Sequence, residues 1–509
     1  MNEKISLMEN ELTRKQRYII KRIIVRGTLI LDTPTCLGSG DAESPTDLAL
    51  LRDSISNHAL LTGSSIAGAL RNYLRERQHG YMANEQANDL ATLLFGGMRS
   101  DDDGNQSPLI IDDAISTKPI KSELRDGVKI KSDTRTADDG AKYDLELLQA
   151  GTEFTLGFEL SIERDNDEAS LVKALAIALS GLEPTNGSNS GEISLGMKKR
   201  RGFGCCHVQE WQVWNFDLTH PDDRTAWLLF DRECIKTPVI TDKIADALGI
   251  VLDEGEDKRD RFLIHATFQL VGSLLIRSGQ DSTGRAPDVV HLKSHRPKDT
   301  SPDEFNPESV LSGTSLAGVL RHRAERIVNT LEKPTSIIDE VFGPDFSKDK
   351  SKQAKASRLV VYEKVIKDAT DLVQNRIAID RFTGGAYHGA LFDEQPIFGG
   401  DRTRVCIELE LRNPENYEIG LLLLLLKDLW TSDLPVGGES SIGRGRLQGK
   451  KAILTWYQWD EEKKLQQKEI WTIEQPNPKQ HLTFSGSDKQ QLEDFVSELV
   501  KYLDTIENQ

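Results

Sequence analysis

The chain contains two copies of one sequence plan, and this internal duplication restricts the fold more than any other feature. The stretch GSSIAGALR at residues 63–71 returns as GTSLAGVLR at residues 313–321, 250 positions later. Three further pairs keep the same order: VRGTLIL (25–31) with LVGSLLI (270–276), LLFGG (93–97) with EVFGP (340–344), and PLIIDDA (108–114) with SRLVVYEK (357–364). A period of about 245 residues is far too long for a solenoid, so the pattern indicates two tandem domains.

Each copy predicts the same series of elements: strand, helix, strand, long insert, helix, glycine-rich loop and strand. The short aliphatic runs suit buried strands, and the series is that of a split βαβ, or ferredoxin-like, domain of the α+β class. The predicted ranges are a first module at 1–214, a linker at 215–260, a second module at 261–455 and a C-terminal extension at 456–509. The charged run DEGEDKRDR at 253–261 is the predicted domain junction.

The predicted extension contains an amphipathic helix that starts at Ser487. Its apolar face is expected to pack against the second copy. The residues of this face are Leu492, Phe495, Val496, Leu499, Val500 and Leu503.

Composition excludes several classes of protein. With 509 residues, 38% of them hydrophobic, the chain is long enough for more than one core. A net charge of -17 argues against nucleic-acid binding by overall charge, but local basic strips remain possible because charges are screened over roughly 8–10 Å. Five scattered cysteines do not indicate a disulfide framework. The polar start lacks a signal peptide, and Gly420–Trp430 is shorter than the about 20 residues of a membrane span. We expect a soluble, cytoplasmic protein without a membrane partner.

The repeated small-residue stretch is typical of a helix start that binds an anion. Its polar residues are expected to cap the helix, and the free amides there attract negative charge. Gly68 and Gly318 lie inside the helix, where glycine costs about 1 kcal/mol relative to alanine; close approach of a protein or RNA backbone would offset this cost. A capped helix packed on a sheet is the alternative. The candidate RNA-binding residues are Ser64, Ser65 and Arg71 in the first copy and Thr314, Ser315 and Arg321 in the second.

The glycine-rich loops at the end of each copy carry clustered cations. Glycines allow successive amides to face one anion, and neither loop has the Gly-Lys-Ser/Thr ending of a nucleotide-binding P-loop. Two such loops at equivalent positions favour binding to a repeating polyphosphate such as RNA, whereas a solvated basic turn would explain one loop alone. The cations are Lys198, Lys199, Arg200 and Arg201 in the first loop and Arg444 and Arg446 in the second.

The Gly-Ser stretch, the Phe-Gly pair and the terminal glycine loop together resemble the RAMP superfamily of CRISPR-associated proteins, over residues 18–455 in two passes. More narrowly, the chain is similar to the backbone subunits of type III effector complexes, the seventh Cas family, and its tandem fusion is similar to the D-type variants. The resemblance implies RRM-like domains that stack along a guide RNA and send a thumb-like hairpin between bases. It also implies that complementary target RNA and other type III subunits are partners, and that the target is cut at regular intervals.

In that family, cutting depends on an aspartate between the first strand and the Gly-Ser helix. The candidates are Asp47 in SPTDLALLRD and Asp288 in RAPDVVHLKS, each followed five residues later by a cation, Arg52 or Lys293. Family members have Arg there, so the second copy departs from the pattern. A carboxylate can hold a hydrated Mg²⁺ or Mn²⁺ that promotes attack by the 2′-hydroxyl, and magnesium needs only one or two carboxylates. Loop acids without a catalytic role are the alternative, and the nearby competitors are Asp41, Glu43 and Asp281.

The thumb candidates are the inserts at residues 129–151 and 376–400, aligned on Asp133 with Asp380 and on Thr136 with Thr383. Aromatic and cationic tips suit base stacking, at about 1–3 kcal/mol per base. An ordinary surface hairpin is the alternative. The predicted thumb residues are Asp133, Arg135 and Tyr143 in the first insert and Arg381, Phe382 and Tyr387 in the second.

These residues leave three related functions open. The first is a guide-RNA-binding backbone subunit that also acts as a metal-dependent endoribonuclease on target RNA, and the second is a non-catalytic guide-RNA scaffold. The third is a guide-processing RAMP endoribonuclease, which generally uses a general base, often histidine. His388 has no counterpart in the first insert, which weighs against the third. A protein unrelated to CRISPR is a further alternative.

Overall fold

The computed structural model of the protein shows two modules of the same topology. It describes residues 18–40, 49–84, 86–87, 89–97, 105–185, 189–278, 287–298, 301–346, 352–477 and 479–506.

The first module is built on one antiparallel sheet. Its strands are β1 (Ile19–Leu31), β2 (Leu60–Leu61), β3 (Leu109–Ile111), β4 (Ala114–Ile115), β5 (Ser122–Ile130), β6 (Ala137–Leu148), β7 (Glu153–Glu163), β8 (Cys206–Asp217) and β9 (Val239–Thr241). Its helices are α1 (Gly63–His79), α2 (Leu90–Phe95), α3 (Glu168–Ser180), α4 (Pro221–Leu228) and α5 (Ile244–Leu248).

The main sheet of this module has the strand order β3-β7-β1-β8-β9, with antiparallel neighbours. Strand β1 is the central strand of this sheet. Its side chains alternate between the two faces, and Ile23, Val25, Leu29 and Leu31 are buried in the core. The series β1-α1-β3-β7-α3-β8 gives the split βαβ arrangement of a ferredoxin-like fold.

The second module repeats this arrangement. Its strands are β10 (Arg261–Val271), β11 (Ser273–Leu274), β12 (Arg277–Ser278), β13 (Val289–His291), β14 (Lys293–Lys298), β15 (Ser301–Leu311), β16 (Leu359–Val361), β17 (Lys364–Val365), β18 (Thr370–Asp371), β19 (Gln374–Ile379), β20 (Ala386–Gln395), β21 (Ile397–Phe398), β22 (Val405–Arg412), β23 (Arg446–Asp460), β24 (Leu465–Glu474) and β25 (Thr483–Gly486). Its helices are α6 (Gly313–Thr330), α7 (Ser336–Phe342), α8 (Asn416–Trp430) and α9 (Lys489–Ile506).

The main sheet of the second module has the order β16-β22-β10-β23-β24-β25. Its first four strands correspond to β3, β7, β1 and β8 of the first module. In β10 every second side chain is buried, from Phe262 to Leu270. The predicted α+β fold with two tandem ferredoxin-like domains is therefore confirmed.

Each module carries a hairpin between the second and third strands of this core. In the first module β5 pairs with β6, and in the second β19 pairs with β20. Strand β13 pairs in parallel with β20, which joins the base of the second hairpin to the segment before α6. These hairpins include the predicted thumb inserts, but the first one begins at Ser122 rather than at Lys129.

The segment predicted as a linker, residues 215–260, is part of the first module. The predicted boundary at 214 falls inside β8, and β9 extends the same sheet. Helix α5 places Ile244, which is fully buried, in the first core. The charged run at 253–261 is also not a solvated junction, because Asp257 and Arg259 are buried.

The predicted C-terminal extension likewise completes the second module. The boundary at 455 falls inside β23, and β24 and β25 widen the sheet. Helix α9 packs on α8, so closely that a β-carbon on Gly420 would overlap the carbonyl oxygen of Phe495. The expected packing of this helix is confirmed by the burial of Leu492, Phe495, Leu499 and Leu503. Val500, assigned to the same face, is 50% exposed.

Candidate nucleic-acid interface

The two glycine-rich loops share one backbone conformation. Each contains a short 3-10 turn, Lys199–Arg201 in the first module and Ser440–Ile442 in the second. Four equivalent residues around each turn have left-handed φ angles. They are Gly196, Lys198, Gly202 and Gly204 in the first loop and Gly437, Glu439, Gly443 and Gly445 in the second. The duplication therefore extends to individual backbone angles.

The first loop lies against the start of α6 in the second module. A β-carbon on Gly313 would overlap the carbonyl oxygen of Arg201, and one on Gly202 would overlap the backbone nitrogen of Glu363. These glycines are needed because two backbones touch. The equivalent Gly443 has no atom within 4 Å of a β-carbon position, so the second loop makes no such contact with the described residues.

A cavity of about 360 Å³ opens between the first loop and α6. Three of its lining residues are cationic and none is acidic. The lining residues are Tyr143, Lys198, Arg201, Thr314, Ala317, Gly318, Arg321 and Phe342. Together with the amides at the start of a long helix, these cations give the cavity a positive potential.

Lys198 and Arg201 are held in place on the wall of the cavity. The Nζ atom of Lys198 lies 3.9 Å from the centroid of the Tyr143 ring. Arg201 donates hydrogen bonds to the carbonyl oxygens of Arg200 (3.0 Å) and Leu359 (3.3 Å). Burial, and then the positive charges of Arg321 and Arg200, lower the pKa of Arg201 to about 10. The group is still charged at neutral pH, and an anion in the cavity would relieve the repulsion.

Comparison of the sequence with protein families identifies the family of the chain. The sequence matches the RAMP superfamily over residues 28–207 and 267–448. The chain belongs to the RAMP superfamily. Membership places it among CRISPR-associated RNA-binding proteins. Each matched range covers one RAMP module, from its central strand to the strand after the glycine loop. A search of curated proteins finds no match. Across the described residues, every helix is too short or too polar to span a bilayer.

The long helix of each RAMP module is capped two residues before the first cap that the sequence predicts. The side chains of Thr62 and Ser312 accept hydrogen bonds from the backbone N–H groups of Ser65 (3.3 Å) and Ser315 (3.2 Å). The predicted caps Ser64, Ser65, Thr314 and Ser315 lie in the first helical turn. Ser64 and Ser65 are exposed, whereas Thr314 lines the cavity.

The arginines that end the repeated stretches hold the Phe-Gly turns. Arg71 donates to the carbonyl oxygen of Gly97 (3.1 Å), and Arg321 donates to that of Gly343 (2.6 Å). Arg321 also pairs with Asp339 (3.0 Å). Both arginines were predicted as RNA-binding residues, and the structure gives each a structural role at the end of the following short helix. Of the two, Arg321 also lines the cavity.

The cations of the two glycine loops are not equivalent. The side chain of Arg444 is 3% exposed and pairs with Glu394 (3.0 Å) and Glu439 (2.7 Å). The charge of Arg444 is therefore neutralised in the interior, where the loop motif predicted a cation available to RNA. Arg446 is exposed at the start of β23, as is Lys199 in the first loop.

The predicted catalytic aspartates differ in what the structure shows. Asp47 lies outside the described residues. Asp288 is exposed, and its Oδ2 accepts a hydrogen bond from the N–H of Asp393 (3.0 Å) at the base of the second hairpin. In the first module Leu50 pairs with Gly38, and in the second module His291 pairs with Arg277. Asp47 precedes Leu50 by three residues, and Asp288 precedes His291 by three residues. The pairing therefore agrees with the alignment of Asp47 on Asp288.

The donor set at Asp288 fits a hydrated divalent cation only loosely. Among the described residues no three His, Cys, Asp or Glu side chains cluster as a metal site. Magnesium can bind through one or two carboxylates and keep its waters, and the exposed carboxylate of Asp288 offers one of them, while Asp393 contacts it through its backbone N–H. The predicted companion cations are paired elsewhere: Arg52 with Glu146 (2.8 Å) and Lys293 with Asp371 (2.5 Å).

The tips of the two hairpins are the same turn with different side chains. The N–H of Lys131 donates to the carbonyl oxygen of Thr136, and the N–H of Asp380 donates to that of Gly385, both at 2.9 Å. Residues 131–136 thus correspond to 380–385, two residues away from the alignment of Asp133 on Asp380. The alignment from sequence is shifted by two residues because the two turns share an Asp and a Thr at different positions.

This correspondence gives the tips different chemistry. The second tip presents Phe382, which is fully exposed, beside the exposed Arg381. The first tip presents Asp133 and Arg135, both exposed. Tyr387 is 62% exposed on β20. Tyr143 is on β6 and lines the cavity rather than the tip.

Sequence reasoning did not identify the ion pairs that join the modules. Arg125 on β5 is buried and pairs with Glu123 (2.9 Å) and Glu363 (2.7 Å), and Arg296 also pairs with Glu363 (2.7 Å). The available signal was a charged residue directly after an apolar strand, as in LVVYEK. Such a residue often marks a solvated strand end, so its buried partner could not be inferred.

Proposed function

We propose that the protein is a guide-RNA-binding backbone subunit of a type III CRISPR effector complex. The observation that carries this proposal is the cavity between the first glycine loop and α6, which collects three cations and no carboxylate. Gly318 lines it, and no atom lies within 4 Å of its β-carbon position. A sugar-phosphate chain can therefore approach the helix backbone, with a phosphate near Lys198 and Arg201.

The second hairpin supports contact with bases as well as phosphates. Phe382 is fully exposed among the described residues, and an exposed ring at a hairpin tip can stack on a nucleotide base. The hydrogen bonds from the N–H groups of Phe382 and Thr383 to Asp380 (2.7 and 3.1 Å) fix the turn that presents it. We infer that this hairpin is the thumb that separates bases.

We further propose that Asp288 and Asp47 support metal-dependent cleavage of target RNA. A bound hydrated Mg²⁺ or Mn²⁺ would supply charge stabilisation and a base for the 2′-hydroxyl. The hydrogen bond from Asp393 orients the Asp288 carboxylate at the base of the thumb. Positioning of the RNA by the thumb would bring the reacting groups into line.

RNA binding is tested by neutralising two cavity cations. We expect Lys198→Gln with Arg201→Gln to lower the affinity for guide RNA at least about tenfold. The slope of log affinity against log salt should fall by about 0.7 for each phosphate that the protein no longer neutralises. The control is Lys463→Gln with Lys464→Gln, an equal charge change in the turn between β23 and β24. Equal affinities for the two double variants would contradict the proposed site.

Cleavage is tested separately in a complex reconstituted with guide RNA. We expect Asp288→Asn to remove one target-cleavage product and Asp47→Asn another, while guide binding is kept. The control is Asp53→Asn, an exposed loop acid whose Oδ2 accepts a hydrogen bond from the N–H of Ser56 (2.6 Å). If both aspartate variants give every product, the chain is a scaffold and the cutting residues lie elsewhere.

A further inference from the structure

The two modules of the chain are joined head to tail, through different surfaces. The first module contributes the surface around the C-terminal end of α1, which includes Tyr81 and Glu192. We call this surface the trailing face. The second contributes its receiving face, the outer side of its sheet at Arg261 and Glu410. Tyr81 donates to Glu410 (3.0 Å), and Glu192 pairs with Arg261 (2.5 Å). Such a heterologous interface can continue from copy to copy unless one of its surfaces is blocked.

Strand pairing identifies the receiving face of the first module. Arg261 pairs with Tyr457 across β23, as Arg22 pairs with Phe216 across β8. Two residues further along the central strand, Leu263 pairs with Thr455 as Ile24 pairs with Trp214. Leu263 therefore corresponds to Ile24, and Thr455 corresponds to Trp214. The first module therefore has an equivalent face, and its centre is apolar, consisting of Ile24, Trp214 and Phe216.

This face is already covered by the chain itself. Residues 218–230, which we call the cap segment, follow β8 and fold back over the sheet. Phe230 packs edge-on against Trp214 and Phe216, with ring centroids 5.1 and 5.7 Å apart. The ring of Trp227 lies 4.4 Å from the guanidinium carbon of Arg22. Ile24, Trp214 and Phe216 are buried beneath it.

Polar contacts hold the cap segment and the chain that follows it. Asp223 accepts hydrogen bonds from the N–H of Asp217 (2.9 Å) and from Lys236 Nζ (2.7 Å). The indole N–H of Trp214 donates to the carbonyl oxygen of Lys236 (2.8 Å). In the second module, β23 continues into β24 instead of such a segment, and this leaves its receiving face open to the first module.

The trailing face of the second module presents an exposed leucine at the position of Tyr81. Met82 follows α1 and Glu332 follows α6, and both residues have left-handed φ angles. The residues before them are therefore equivalent, and Leu331 occupies the position of Tyr81. Tyr81 is 7% exposed, because it packs on the second sheet, whereas Leu331 is 46% exposed. The exposed Leu331 side chain would suit the apolar receiving face that the cap segment covers.

We propose that the cap segment occupies the position that the trailing face of a second copy would take, and thereby prevents copies of this chain from associating head to tail. The interface within the chain supplies the geometry, and the burial of an apolar sheet face by residues 218–230 supplies the block. Terminal caps have this role in other repeated arrays, where they cover an end that would otherwise continue the stack. The proposal does not depend on RNA binding.

Sedimentation velocity of the full chain without RNA tests the proposal. We expect the wild-type protein to be monomeric across a dilution series. Trp227→Ser with Phe230→Ser should uncover the sheet face and give dimers and longer assemblies. Adding Leu331→Glu should return this variant to the monomer. Leu228→Ser, at a cap-segment residue that is 68% exposed, is the matched control and should stay monomeric.

Several results would overturn the proposal. One is an uncapped variant that is folded by circular dichroism but stays monomeric. Another is association that persists after Leu331→Glu, since it would not use the trailing face. The wild-type protein decides the matter even if the uncapped variant fails to fold: oligomers of the wild type that Leu331→Glu abolishes would show that the cap segment does not block the interface.

Discussion

Glu394 and Arg444 form a buried ion pair where the first module has two apolar side chains. The shared left-handed φ angles of the two glycine-rich loops align Arg444 with Phe203. The equivalent turns at the tips of the two hairpins align Glu394 with Leu145. Phe203 and Leu145 are in one small apolar cluster. A Gly-Arg-Gly-Arg loop suggested exposed cations because nothing nearby in sequence reveals the partner, which is 50 residues away. Burial of a charge depends on such distant partners, so this residue could not be assigned from its motif.

Gly318 gives a prediction in which stability and binding change in opposite directions. Gly318→Ala should raise the free energy of unfolding by about 1 kcal/mol, because alanine favours the helix and its β-carbon has open space. The same methyl group should weaken guide-RNA binding if RNA approaches the helix backbone. Urea unfolding and RNA titration measure the two effects. Gly68→Ala is the control for the helix effect, since Gly68 also has open space and does not line the cavity. Unchanged RNA affinity in Gly318→Ala would contradict a close backbone approach.

At the scale of elements, the repeated order of strands and helices predicted the topology, while the limits of the modules were predicted less well. The order was reliable because alternating and helical periodicities identify elements directly. The charged run at 253–261 suggested a junction, but Arg259 pairs with Glu192 (2.7 Å) inside the module interface. A solvated charge run and a buried ion network have the same composition, and sequence periodicity does not separate them.

The tail helix α9 allows a direct test of which side chains hold an element in place. Leu499 is 1% exposed and Val500 is 50% exposed, although both were assigned to one apolar face. Leu499→Ala should lower the free energy of unfolding by about 2–5 kcal/mol through the cavity it leaves. Val500→Ala should change it by less than about 0.5 kcal/mol. Chemical denaturation of the two variants measures the difference, and equal losses would contradict the observed helix orientation.

At the scale of the whole molecule, the buried carboxylate of Glu410 lies where the modules meet and accepts a hydrogen bond from Tyr81 of the first module (3.0 Å). Burial raises the pKa of Glu410, but Arg412 and Arg261, with hydrogen bonds from Tyr362 and Tyr81, lower it to about 2. A carboxylate with a lowered pKa stabilises the folded protein above its ordinary pKa of about 4.5, and this contribution is lost as the pH falls toward 2. The interface is therefore expected to weaken in acid.

Urea unfolding between pH 7 and pH 2 measures this contribution. Glu410→Gln should be less stable than the wild type at pH 7, and the difference should shrink as the pH falls from about 4.5 toward 2. Glu461→Gln, at an exposed turn residue, controls for general loss of negative charge. A stability difference between Glu410→Gln and the wild type that is independent of pH would show that the carboxylate charge does not hold the interface.

The polar interface also determines how the protein would behave if its backbone were broken. Val251, near the end of the first module, is 93% exposed, so a protease can reach this stretch without unfolding either half. The two fragments are expected to remain bound to each other, since dissociation would expose the buried Arg125, Glu363 and Glu410 and break the pair between Arg125 and Glu363. We therefore expect the cleaved protein to keep the arrangement of its two modules, as two separate polypeptides of the same sequence would.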